Sequence, residues 1–286
     1  KDDIEFCTKE LDKLWKLYLD GKQYPAVLRK FELILSEFFP KYRDHYVHQF
    51  QVFLLGSLII DGLIDKKKIK KKEIENISTG WMLAASYHDF SYPIQRHDEY
   101  FSFFFEQILG VDKSFTVLEL KNKYIEDKFS SSIEHILASI SPCLNIEDIQ
   151  GTDGTEKLNK IRTFFYYSVT NEKNHALLSA LGLLKKLENK TAVAIACHAD
   201  HIAQHLNGMK VEESEKVVTE IEEVRSIAPL REINFDEHPL AFLLILCDNL
   251  QDWGRHCEDK KLEKELTEAN IRFKDIVFDS DSVIIR

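Results

Sequence analysis

Apolar positions recur at helical spacing along most of this chain. Ile4, Cys7, Leu11, Leu14, Trp15 and Tyr18 fall on one stripe and predict a helix over 4–20. A second stripe over 26–39 stops at Pro40. The spacing predicts a long helix over about 43–64 and another over about 76–89. The end of the latter is signalled by Pro93, which disfavours helix in the residue before it. Residues 98–108 carry the apolar block Tyr100, Phe101, Phe103, Phe104 and Phe105, and 130–139 read as a shorter helix. The segment 141–156 (SPCLNIEDIQGTDGTE) is the clearest loop by composition. Beyond it, 171–187, 191–206, 211–224 and 239–253 read as helices, with an irregular connection over 226–238 that contains Pro229.

The tail breaks this pattern. In NIRFKDIVFDSDSVIIR, Ile271 and Phe273 alternate with polar residues, Ile276 and Phe278 follow, and Val283 and Ile285 come after the turn-like DSDS. Such alternation predicts a β-hairpin. A lone hairpin is marginal in water, so it should pack on the helical body or pair with a segment outside this sequence. The expected organisation is one helical domain over 1–265, its core over about 43–255, and a hairpin extension over 266–286. The chain starts at Lys1 and ends at Arg286 inside the apparent strand, which suggests a trimmed piece of a longer protein.

Composition narrows the class. Only 10 Gly and 6 Pro punctuate 286 residues, which suits long helices better than a strand-and-turn fold. Apolar residues at 44% and charged residues at 30% are those of an ordinary soluble globular protein. A net charge of -10 argues against general nucleic-acid binding, which needs clustered positive charge. It still permits a small phosphorylated substrate, because bound metals bring their own positive charge. The one basic block, Lys66 to Lys72 (KKKIKKK), reads as a solvated loop or helix end. Cys7, Cys143, Cys197, Cys247 and Cys257 form no CxxC and are odd in number, so a reducing, cytoplasmic setting without a disulfide framework is expected. The longest apolar run, 52–64, is shorter than the roughly 20 residues of a membrane span. No signal peptide is visible and no membrane partner is expected.

The histidines change the picture most. His45 and His48 sit three apart on one predicted helix; His88-Asp89 closes the apolar helix WMLAASYHDF; His175 opens NHALLSALGLL. His198 and His201 lie in AIACHADH, and Asp248 follows AFLLILC. Each is a metal-competent side chain set in an apolar helix, where burial alone is costly and coordination of a cation offsets the cost. Adjacent residues within a helix point about 100° apart, so His88 and Asp89 reach one ion only at the helix end, where Phe90-Ser91-Tyr92-Pro93 departs from helical geometry. Asp89 has two oxygens and is able to bridge two ions. His45 competes with His48 for the first position, and Val52, four after His48, favours His48. His201 competes with His198, which the apolar AIAC segment favours. Taken singly, each of these residues also reads as an ordinary hydrogen-bonded histidine or helix-end carboxylate.

The order His48, His88-Asp89, His175, His198, Asp248 resembles the HD superfamily of metal-dependent phosphohydrolases over about 43–255. HQFQV, the apolar helix before the HD pair, His175 with Ser179-Ala180, Ala194-Ile195 before His198, and PLAFLLILCDNLQDWGR are each similar to the family's ligand segments. The resemblance implies a mainly α, HD-domain-like helical bundle. It implies metal ligands His48, His88, Asp89, His175, His198 and Asp248, and two divalent transition-metal ions: iron, manganese or zinc, with magnesium also compatible. Two ions together polarise a phosphoryl oxygen and lower the pKa of water. One departure stands out: many members carry a Lys shortly after the HD pair, whereas here Phe90 to Gln95 contain none and Arg96 follows. Arg96 and Arg255 are the candidates for contacting phosphate beside Asp89, although Arg96 equally suits a surface position and Arg255 suits an ion pair with Asp252 better. The implied activity is hydrolysis of a nucleotide or other phosphoester. The rival readings are a ligand-sensing HD module without turnover and a di-iron oxygenase built on the same ligands.

Overall fold

The computed structural model describes residues 45–97, 130–136, 174–184 and 238–251 as continuous stretches. It also describes helical residues at 6, 9–10, 12–13, 31–32, 35, 162, 165–166, 168–170, 191 and 194–196, the turn 235–236, and the backbone of two short strands. The described chain is mainly helical: α1 (His45–Asp65), a 3-10 turn (Lys71–Glu73), α2 (Ile74–Tyr87), α3 (His175–Leu184) and α4 (Pro239–Leu250). The strands β1 (Ile276–Phe278) and β2 (Val283–Ile285) run antiparallel, with Ile276 opposite Ile285 and Phe278 opposite Val283. Two compact units are formed, one from 1–93 with 243–286 and one from 94–242, and the boundary falls inside α4. The expected helices over 98–108 and 211–224 and the loop 141–156 lie outside the described residues.

In the first unit, α1 begins on a carboxylate. Glu32 accepts the backbone N–H of His45 at 2.7 Å and that of Tyr46 at 3.1 Å, two donors that a helix start leaves without intrahelical partners. Its negative charge also suits the positive end of the helix dipole. The far end closes as a Schellman turn, Lys68 N–H to Leu63 O at 2.8 Å and Lys67 N–H to Ile64 O at 2.9 Å. Lys67 takes the left-handed conformation, φ 57°, that this turn requires. Between the ends, Val52, Leu55 and Ile59 are buried. α1 meets α2 at Gly56, where a Cβ atom would lie 1.9 Å from the Trp81 ring. The glycine admits the indole, whose Nε1–H donates to Phe53 O at 3.0 Å. By length and composition alone α1 could cross a membrane, but half of its apolar window is buried inside the protein and it carries buried His45, His48 and Gln49. Those features are those of a core helix.

In the second unit, Asn174 caps α3: its Oδ1 accepts the Leu177 N–H at 3.1 Å. Ala176, Leu177, Ala180 and Leu181 then form the buried face of the helix. The hydrophobic pattern predicts no element over 157–170, yet the described residues 162, 165–166 and 168–170 are helical. Thr170 Oγ donates to Tyr166 O at 2.7 Å, a hydroxyl bond to the preceding turn. Arg162 grips Glu134 with two bonds, 2.5 and 3.0 Å, tying this segment to 130–136.

Candidate metal centre

The pattern predicts a helix that runs through Asp89; the structure ends it two residues earlier, so the HD pair lies just beyond α2. α2 ends at Tyr87, and the His88 N–H makes a last helical bond to Ala84 O at 3.1 Å. The chain then turns, with Phe90 N–H bonded to Tyr87 O and Tyr92 N–H bonded to Asp89 O. Helix resumes at 92–97, with Pro93 in its first turn, where a missing N–H costs nothing. This break lets neighbouring side chains converge: His88 Nε2 lies 3.4 Å from Asp89 Oδ2. Both residues are buried.

α1 and α4 supply the rest of the cluster in this unit. His48 Nε2 is 3.3 Å from His88 Nε2 and 3.8 Å from Asp89 Oδ2. Asp248 Oδ1 is 2.8 Å from His48 Nε2 and 3.6 Å from His88 Nε2. Donors bonded at about 2.1 Å to one ion lie about 3.0–3.5 Å apart at octahedral to tetrahedral angles, close to this set of separations. His48, His88 and Asp89 thus form a buried group able to hold a metal ion.

The outer hydrogen bonds decide which nitrogens face inward. His88 Nδ1 donates to Ala85 O at 2.8 Å. His48 Nδ1 meets the side-chain oxygen of Gln251, and Gln251 Nε2 donates to Gln51 Oε1 at 2.7 Å, which fixes the direction of that amide. Both partners are acceptors, so in each neutral imidazole the proton is on Nδ1 and the lone pair on Nε2. Two nitrogen lone pairs then face Asp89 and Asp248, a set whose charge a metal ion or a proton would balance. The electrostatics agree. Burial opposes charge on His88, but Asp89 beside it and hydrogen bonds to Asp248 and Asp89 prevail and raise its pKa to about 10. Burial would raise Asp248, but bonds from His48 and His88 hold it well below the usual carboxylate range. A histidine bonded through Nδ1 to a fixed acceptor, with Nε2 presented to a cation, is the usual outer arrangement of a metal site.

The other predicted residues are distributed as follows. His45, one turn before His48, is buried with Nε2 3.9 Å from Asp89 Oδ2. His175 opens α3 in the second unit, and its Nδ1 donates to Gln95 Oε1 at 2.9 Å, the same tautomer as His48 and His88. Arg96 is part-buried on the 92–97 turn. His198, His201 and Arg255 lie outside the described residues. Gln51, Gln95, Gln251 and Glu32 are supporting residues that the residue-by-residue reading did not single out. A signal for two of them was present: Gln51 is three after His48 and Gln251 three after Asp248, each on the helical face of its ligand.

No model of a known family matches the chain, and neither a curated protein nor a solved structure does.

Proposed function

We propose that this chain is a metal-dependent phosphohydrolase or phosphodiesterase of HD type, an HD-like bundle with a short C-terminal hairpin, acting on a nucleotide or another small phosphoester. The observation that supports it most is the pair of inward Nε2 lone pairs of His48 and His88, 3.3 Å apart and flanked by Asp89 and Asp248. Two neutral imidazoles and two carboxylates balance one divalent cation, and a nitrogen-and-oxygen set without thiolate suits iron, manganese or zinc, with magnesium also compatible. When bound, such a cation polarises a phosphoryl oxygen and lowers the pKa of water. His48 and His88 hold its position through their fixed tautomers, and Asp89 is the acceptor for the attacking water's hydrogen bond. The Asp248 side chain is 26% exposed, whereas His48, His88 and Asp89 are buried. Arg96 and Arg255 are the proposed forks for the remaining phosphate oxygens. The resemblance adds His175 and His198 as ligands of a second ion, and the Nδ1–H bond of His175 to Gln95 gives that ring the tautomer of a ligand.

The test is a turnover screen of the manganese- or zinc-loaded protein against p-nitrophenyl phosphate, bis(p-nitrophenyl) phosphate, nucleotides and cyclic dinucleotides. Hydrolysis that a chelator abolishes is expected. A loaded centre that turns over none of them would overturn the enzymatic reading. It would favour a ligand-sensing module instead, which the absence of a Lys between Phe90 and Gln95 already supports.

A further inference from the structure

We propose that the groove between α1 and α2 is a binding site for a small anionic amphiphile, an alkyl carboxylate or alkyl phosphate. Its tail lies on the apolar lining and its head meets the lysines of the 66–72 turn. The site is separate from the metal cluster and does not depend on the function proposed above.

The two helices run antiparallel, because His48 near the start of α1 meets His88 just past the end of α2, and Gly56 meets Trp81. The turn that connects them therefore closes the far end of the groove. The groove encloses about 440 Å³, a volume typical of small-molecule sites. Phe53, Leu58, Ile60 and Ile64 line it from α1, and Trp81 and Met82 line it from α2. At about 1.5 Å per residue, the stretch from Phe53 to Ile64 measures about 16 Å along the axis. It begins about 8 Å beyond His48 and ends about 24 Å beyond it, so the metal cluster lies outside the open end. Leu58 at the rim is 38% exposed, whereas Ile60, Trp81 and Met82 are buried beneath it. A long apolar recess of this kind suits an alkyl chain better than a compact polar ligand.

The closing turn supplies the charge. Lys66, Lys67, Lys68, Lys70, Lys71 and Lys72 are all exposed, in a chain whose net charge is -10. They stand on a fixed frame. The N–H groups of Lys67 and Lys68 bond to Ile64 O and Leu63 O, which folds the turn back against Ile64, the last apolar residue of the groove. Ile69 is buried and pins the middle of the turn, and Glu73 N–H closes it on Lys70 O at 2.8 Å. The lysine stems extend the apolar surface while their ammonium groups stay in water. Carboxylates are present too, Asp61 in the lining and Asp65, Glu73 and Glu75 beside the turn, but the lysines outnumber them. The positive end of α2 lies at the same end of the groove and adds to the attraction for an anion. Lysines are point charges without the fork of arginine, and the lining is aliphatic for most of its length, so an anionic head on an alkyl tail fits better than a nucleic acid. A bilayer surface offers the same head chemistry, but a flat surface does not reach the recessed Trp81 and Met82.

The experiment is calorimetric titration of the full chain with monomeric decanoate, decanol and decyltrimethylammonium, which share a tail and differ in the head. Decanoate should bind saturably, one per chain, and more tightly than the other two. Zinc-loaded and chelator-treated protein should bind it alike. Lys66→Glu with Lys70→Glu, which leaves the left-handed Lys67 in place, should weaken decanoate about tenfold and leave decanol unchanged. Ser78→Phe, at an exposed position of the lining, should weaken decanoate and decanol together. Should Ser78→Phe fail to fold by circular dichroism, the head-group series and the lysine variant decide. Absence of saturable decanoate binding, tighter binding of decyltrimethylammonium, or unchanged decanoate affinity in the lysine variant would overturn the proposal. Decanoate binding that a chelator abolishes would overturn it as well and place the ligand at the metal cluster. Binding to vesicles of phosphatidylcholine with phosphatidylglycerol, but not to monomeric decanoate, would overturn it and assign the lysine turn to an anionic membrane surface.

Discussion

A histidine in this chain is best judged by what its second ring nitrogen does. His48, His88 and His175 each give Nδ1–H to an oxygen acceptor, namely Gln251, Ala85 O and Gln95. Polar residues set in apolar helices made His48, His88-Asp89 and Asp248 legible in the sequence. The tautomers were not, because they depend on residues such as Gln251 that look like any polar side chain in DNLQDWGR. Gln251 is fully buried and orients His48 through an amide that Gln51 holds in place. Replacing Gln251 with Leu keeps the volume and removes the acceptor. It should weaken metal affinity about 10–100-fold, the usual cost of losing an outer partner, measured by competition with a chromogenic chelator. An unchanged affinity would show that Gln251 only fills space.

At the scale of elements, apolar spacing identified the helices that carry the site. The spacing predicts 43–64, 76–89 and 239–253, and the structure has α1 at His45–Asp65, α2 at Ile74–Tyr87 and α4 at Pro239–Leu250. The boundary at Tyr87 matters most, since it frees His88 and Asp89 from helical divergence. The helical residues between 162 and 170 were not legible, because IRTFFYYSVT is aromatic and β-branched throughout and offers no clear 3.6-residue stripe. Gly56 was equally silent: within a long apolar run it reads as a weak point of a helix, and only the packed Trp81 explains it. Gly56→Ala sets two effects against each other. Helix propensity gains about 1 kcal/mol, while forcing a methyl into the indole costs about 1–3 kcal/mol. With a 1.9 Å approach the clash should win, so the variant should unfold at lower denaturant. In a Trp81→Phe background the same substitution should cost less; an equal cost in both would refute the close approach.

At the scale of the molecule, a chain of net charge -10 concentrates carboxylates around buried imidazoles, and their balance depends on pH. Without metal, His88 has a folded pKa of about 10 against an ordinary 6.5, so its stabilising contribution is full below 6.5 and is lost as pH rises through about 10. Asp248 is depressed from 3.8, so its contribution is full above 3.8 and is lost as pH falls below that value. The metal-free protein should therefore lose thermal stability from pH 6.5 toward 10. The loaded protein should lose much less, because a cation replaces the His88 proton. Melting curves with chelator and with zinc across this range check it, and parallel slopes would contradict it. Whether His48, His88, Asp89 and Asp248 hold a divalent cation is decided by calorimetric zinc titration of wild type and His88→Gln. Wild type should bind zinc with proton release near neutral pH, and His88→Gln should lose that site. Wild type that binds no zinc, or a folded His88→Gln protein that binds it equally well, would show that these residues form no metal site.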